Sequence, residues 1–332
     1  MAQIPRTILV APDSFKGTLS APEVAGAIAR GLDQRGWPTD LCPLADGGEG
    51  TLEVLLGALG GELRRASVTD PLGRPIEARF GLVEQPRRCL AGIVETAAAS
   101  GLSLLHPDEL DPLGASTQGT GQLILAACEA GAEVIYLGVG GTATTDGGRG
   151  ALDAIRRGGG LGSTRLVVLC DVRTPFELAA RVYGPQKGAG PREAARLSAR
   201  LRAVARAFAR DPRGVPLTGA AGGLSGGLWA ELDAELVPGA GFVLDLLGFD
   251  RRMLEARAVV TGEGCLDEQS LAGKVVSEVA TRARQMGVPS HAIVAQRALD
   301  AFGARILDLQ AVLEGGTPRA LSAAGRRLAG MI

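Results

Sequence analysis

Short apolar runs recur along this chain. Each is closed by a polar, glycine-bearing loop and followed by a stretch of helical period. The clearest example is residues 133–150, EVIYLGVGGTATTDGGRG. Val134–Leu137 is apolar and partly β-branched and reads as a buried strand. The turn Gly138-Val139-Gly140-Gly141 follows, then Thr142, Thr144, Thr145, Asp146 and Gly147-Gly148, then a helical run over Gly150–Arg157. Thr7–Ala11, Asp40–Leu44, Leu90–Glu95, Leu166–Cys170, Ala258–Thr261 and Ser290–Ala295 read as further strands. Helices are predicted over residues 20–35, 51–59, 118–130, 191–210 and 274–286. Ser20 and Glu23 form a capping box at the first, and Gly36 stops it.

The rhythm breaks once. Glu62–Thr69 and Ile76–Val83 flank the tight turn Asp70–Pro75, and strands joined so closely are antiparallel. The strand–loop–helix order resumes at Ala258. The pattern therefore predicts an α/β protein of two α/β domains. One is Rossmann-like, with a parallel sheet, and discontinuous in sequence, residues 1–70 plus 258–332. The other is an inserted mixed-sheet domain, residues 71–257.

Composition narrows the function classes. The 332 residues carry a net charge of −1, which argues against a nucleic-acid footprint. The arginine-rich stretch 192–213 has helical spacing and reads as a solvated helix face. Five cysteines form no CxxC pair and only His106 and His291 are present, so cysteine or histidine metal sites are not expected. No apolar run approaches the ~18 residues of a membrane span, and Met1–Lys16 lacks a signal-peptide pattern. A cytoplasmic protein is expected. Glycine, 49 of 332, makes chance glycine motifs common. The GxGxxA match at Gly138–Ala143 is therefore a weak dinucleotide signal. The GxSxG match at Gly223–Gly227, a serine-hydrolase signature, lacks the strand it needs before it.

The chemistry-bearing residues gather at strand ends. In open α/β sheets ligands sit at the carboxyl ends of strands. Asp46, Asp146, Asp171, Glu263 and Asp267 lie in such loops, as do Lys16, Lys187 and Lys274. Carboxylates can hold magnesium, lysines and glycine-lined N–H groups can neutralise phosphates, and one carboxylate can take an acceptor's proton. No GxxxxGK[ST] surrounds any of the lysines, so this is not a P-loop arrangement.

Six stretches in order, APDSFKGTLSAPEV (11–24), PLADGGEGT (43–51), VTDPLGRP (68–75), GPQKGA (184–189), GAAGGLSGGL (219–228) and TGEGCLDEQSLAGK (261–274), resemble the bacterial glycerate kinases of the non-P-loop type. The resemblance covers almost the whole chain. It implies two α/β domains with the site in the cleft between them, and ATP- and Mg²⁺-dependent phosphorylation of D-glycerate, most often at the 2-hydroxyl. The chain departs from the family in a short 150–166 segment, in Thr145 before Asp146, in Thr174-Pro175-Phe176 after Asp171, and at Gln296. Alternatives are phosphorylation at the 3-hydroxyl, a related small hydroxy acid as acceptor, and an inactive binding homologue. The expected site has Asp171, Lys16, Lys187 and Asp46 as catalytic groups, with Asp171 as the base. Gly140, Gly141, Thr142, Asp146, Gly262, Glu263, Asp267 and Lys274 would hold nucleotide. Asp13, Ser14, Lys16 and Gln186 would hold the acceptor, and Asp46 and Glu263 the metal. Expected partners are ATP and the small-molecule substrate, with no nucleic acid or membrane and a homodimer left open.

Overall fold

A computed structural model describes residues 7–86 and 89–332; the stretch Met1–Lys16, read above for a leader, lies partly outside them. The chain divides into two compact units, residues up to Asp46 with Ala240–Ile332, and Gly47–Gly239. The sequence placed the junctions near 70 and 258. The difference lies in which sheet claims the flanking elements.

In the first unit five strands form a wholly parallel sheet, ordered Ala311–Glu314, Ser290–Val294, Ala258–Thr261, Ile8–Val10, Thr39–Leu41. Parallel strands buried on both faces need continuous apolar runs, and Ile8–Val10, Ala258–Thr261 and Ser290–Val294 are buried at every position. Helix Ala21–Asp33 packs Val24 and Ile28 onto this sheet with Leu321 of the helix Pro318–Leu328. Its capping box at Ser20 and Glu23 is present.

The second unit holds a mixed six-stranded sheet, ordered Glu62–Thr69, Pro75–Gln85, Cys89–Glu95, Val134–Gly138, Arg165–Cys170, Glu235–Pro238. Its first three strands are antiparallel and the rest parallel. The hairpin 62–85 pairs through eight residues each side, so it cannot be cut at residue 70. Helix Thr51–Leu59 also belongs here: its Leu52 N–H donates to Glu95 Oε1 at 2.8 Å, at the end of the third strand. The core joins Leu123, Leu137, Ile155, Val168 and Leu224. Among the described residues no helix is long and apolar enough to cross a membrane.

Candidate active site

Sheet order alone brings one group of predicted residues together. Ile8–Val10 lies between Ala258–Thr261 and Thr39–Leu41, so the chain leaves three neighbouring strands at one edge. Backbone bonds continue the ladder beyond them, Asp13 N–H to Gly262 O at 2.8 Å and Leu44 N–H to Pro12 O at 2.9 Å. Asp13, Ser14, Lys16, Asp46, Glu263, Asp267 and Lys274 then line one cavity of about 240 Å³. Lys16 Nζ lies 3.1 Å from Asp46 Oδ2; the lysine side chain is 59% exposed and the aspartate buried.

Two acids here carry displaced protonation. Asp13 is pushed up to about 7, by burial first and then by the Asp46 charge, against Lys16 and the Ser14 N–H that donates to it. Glu263 is likewise pushed up to about 7 by burial, opposed by Ser270 and Lys274. Its Oε1 is buried and has no hydrogen-bond partner among the described residues. An acceptor left in that condition is suited to a cation.

Two residues expected to hold nucleotide here have local duties instead. Asp267 accepts from Gln269 N–H at 2.8 Å and starts the turn Glu268–Ala272. Gly262 is required by packing: a Cβ there would meet Ile293 O at 2.1 Å. Lys274 is half-buried, with Nζ 3.5 Å from Gln269 Oε1.

The second unit holds the other group. Gly140, Gly141, Thr142, Asp171, Gln186 and Lys187 line a small cavity of about 60 Å³. The strand Arg165–Cys170 is buried from Leu166 onward and delivers half-buried Asp171 at its end. Lys187 lies on the short turn Pro185–Lys187 and is only 2% exposed. Its Nζ donates to Thr142 Oγ1 at 3.1 Å and to Thr144 O at 2.5 Å. Burial drives this ammonium down to about 7, opposed by the charges of Asp146 and Asp171. Gly140 permits close approach of two loops, since a Cβ would lie 2.7 Å from Gly48 Cα; Gly141 adopts φ +70°.

Asp146, expected to bind cofactor, is a tie. Its carboxylate accepts from Thr117 N–H (2.9 Å), Thr117 Oγ1 (2.8 Å), Gly148 N–H (3.0 Å) and Gly150 N–H (3.1 Å). It joins the starts of helices Gln118–Glu129 and Arg149–Arg157, where a negative charge is favoured. The hydrolase reading fails on Ser225, which is fully buried in the helix Ala220–Leu232 and donates to Leu217 O at 2.7 Å.

Two features went unread. Thr144 Oγ1 and Thr145 Oγ1 are buried without partners among the described residues, beside the Lys187 loop. Glu95, pushed up to about 7 by burial, lines a cavity of about 610 Å³ with Glu49, Glu53 and Arg79. Its position at the end of Cys89–Glu95 was the available signal.

The protonation shifts have a testable sign. Asp13 holds its proton more tightly folded than unfolded, so its contribution to stability is full below its ordinary 3.8 and lost as pH rises through about 7. Glu263 behaves alike, from 4.5 to about 7. Lys187 runs oppositely, full above 10.5 and lost as pH falls through about 7. For these three groups stability is lowest near neutral pH. Asp13→Asn should raise the Tm of the ligand-free protein by about 2–4 °C at pH 8 and by less at pH 5. Equal shifts at both values, in thermal melts, would remove the buried charge as the cause.

The glycerate kinase family profile matches residues 8–158 and 159–318. A glycerate kinase of Halalkalibacterium halodurans is 38% identical, covering 86% of this chain and 84% of that protein. The glycerate 2-kinase of Escherichia coli K12 is 37% identical, covering 85% and 83%. A crystal structure assigned to glycerate kinase 2 of Salmonella typhimurium LT2 superposes with a TM-score of 0.83 at 34% identity, over 99% of this chain and 98% of that one. By ordered sequence, fold and matched relatives, the chain belongs to the glycerate kinase family.

Proposed function

We propose that this chain transfers the γ-phosphoryl group of ATP to the 2-hydroxyl of D-glycerate, giving 2-phosphoglycerate and ADP. The acceptor oxygen forms the new O–P bond, the bond to the β-phosphate bridging oxygen breaks, and the hydroxyl proton passes to a carboxylate. The observation that carries the reading is that each unit presents a lysine with carboxylates at strand ends: Lys16 with Asp13, Asp46 and Glu263, and Lys187 with Asp171. Phosphoryl transfer asks mainly for positioning and charge neutralisation, which such groups supply.

Lys16 and Lys187 neutralise phosphate charge. A phosphate beside Lys187 would favour its charged form, so the cation is strengthened where it is needed. Gly140, Gly141 and Thr142 lie beside Lys187, and Gln186, Asp13 and Ser14 serve the acceptor. Asp171 takes the proton. Among the described residues no three acidic, cysteine or histidine groups are placed to hold a metal by themselves. Mg²⁺ commonly uses one or two carboxylates and completes its shell with water and substrate phosphates. Asp46 and Glu263, with its unpartnered Oε1, are the residues that would hold it. When bound, the ion offsets negative charge on the phosphates. The five free cysteines suit a reducing, cytoplasmic setting.

The test is an ADP-release assay over D-glycerate, L-glycerate, glycolate, lactate and tartronate, with phosphorus NMR of the product. D-Glycerate should be preferred and yield the 2-phosphate. No acceptor-stimulated ADP with any of them would defeat the kinase reading, and a 3-phosphate would move the reaction to the other hydroxyl. Asp46→Asn and Glu263→Gln should each weaken binding of a non-hydrolysable Mg·ATP analogue about tenfold or more. Calorimetry checks this; unchanged affinity in both would remove the metal assignment.

A further inference from the structure

In the second unit three arginines converge on one cavity that the proposed reaction does not use. Arg149, Arg157 and Arg200 line a space of about 280 Å³ with Ser116, Asp146 and Asp153. The two acids offset them only in part, three positive groups facing two negative ones, and the Asp146 charge acts on Arg200 without an ion-pair contact. Asp146 already accepts four hydrogen bonds, and Asp153 lies 3.7 Å from Arg156. Among the described residues none of the three arginines has a carboxylate within the 4.0 Å of an ion pair, whereas Arg156 pairs with Glu231 and Arg74 with Asp70.

Arg200 is held from within. It donates from Nη1 to Leu113 O at 2.6 Å and from Nη2 to Thr145 O at 2.7 Å, and its Nε is buried without a partner among the described residues. Burial lowers its affinity for its proton, opposed by the charges of Asp146 and Asp111 and aided by that of Arg149. Like charges gathered on one wall raise the energy of the protein alone, and a bound anion removes that cost. Guanidinium groups match the planar spacing of phosphate oxygens. Ser116 Oγ accepts from Gln118 N–H at 3.2 Å and keeps its O–H to donate. The N–H groups of Thr117, Gly148 and Gly150 already donate to Asp146, so recognition falls to side chains.

We infer that this cavity binds a phosphate-type oxyanion, either inorganic phosphate or the phosphate monoester of a small organic acid. Arg200 connects it to the Lys187 loop, because it holds the carbonyl of Thr145, next to the Thr144 carbonyl that accepts from Lys187.

Calorimetry of the full chain tests this, with neither ATP nor acceptor present, so that it does not depend on kinase activity. Inorganic phosphate and 2-phosphoglycerate are titrated at low ionic strength into the wild type and into Arg149→Gln/Arg157→Gln. Both replaced arginines are exposed, and Arg200 is kept because it holds the loop. Saturable binding is expected in the wild type and affinity about tenfold or more weaker in the double variant. The source is the anion that displaces the other at lower concentration. No saturable binding of either anion, or equal affinity in wild type and double variant, overturns the assignment.

Discussion

Lys187→Met is expected to lower kcat/KM by about 10²-fold or more, the size of a lost charge clamp on a transferring phosphoryl group. Methionine fills a similar volume and keeps the side chain buried, so the change isolates the ammonium. Two effects on stability oppose each other. Thr142 Oγ1 and Thr144 O lose their donor, which costs about 1–3 kcal/mol for a buried polar group. Against that, the variant no longer has to hold a charge in a buried place, a gain that grows as pH falls from 10.5 through about 7. The variant should therefore compare better with the wild type at pH 6.5 than at pH 10. Lys16→Ala is the control. Its side chain is largely exposed, so activity should fall similarly with little change in Tm. Near-normal turnover in both variants, with folding confirmed by melts, would end the assignment of these lysines to phosphate.

How far the sequence could be read follows from which signals are local. The strand-end carboxylates were legible because apolar runs such as Leu166–Cys170 mark both the strand and the residue that follows it. The antiparallel hairpin was legible from its turn. The short strands Glu235–Pro238 and Ala311–Glu314 were not, since four half-exposed residues show no period and are strands only through their sheet neighbours. Helix Ala220–Leu232 was hidden by its glycines, which disfavour helix on propensity. Gly222 and Gly223 take left-handed φ of +65° and +88° at a kink within the segment, and Gly226 is there for packing, since a Cβ would meet Phe176 Cδ2 at 2.5 Å. At the site, residue types were readable and their partners were not. Asp146 looked like a ligand until Thr117, 29 positions earlier, claimed its carboxylate. Nothing near Lys187 announces that it is buried against Thr142 and Thr144, more than 40 positions away.

Asp171→Asn should lower kcat by about 10²–10⁴-fold, the range for loss of a general base, and leave Mg·ATP affinity nearly intact. The strand Arg165–Cys170 is paired on both sides and buried from Leu166, so it aims Asp171 rigidly. A base must be fixed relative to the hydroxyl it deprotonates. Asp13 is the rival, and a specific observation favours it: burial and the Asp46 charge bring it to about 7, matched to proton acceptance at neutral pH. The two are separable because a base must be ionised to act. If Asp13 were the acceptor, the wild-type rate would rise with pH through about 7, and Asp13→Asn would erase that limb together with turnover. If Asp13 positions the acceptor, its Asn variant should raise KM for D-glycerate and keep kcat within about tenfold. Steady-state profiles of both variants between pH 5.5 and 9, beside calorimetry with the nucleotide analogue, decide the matter. Loss of kcat in Asp13→Asn with turnover retained in Asp171→Asn would move the base to the first unit and leave Asp171 as the charge that steadies Lys187.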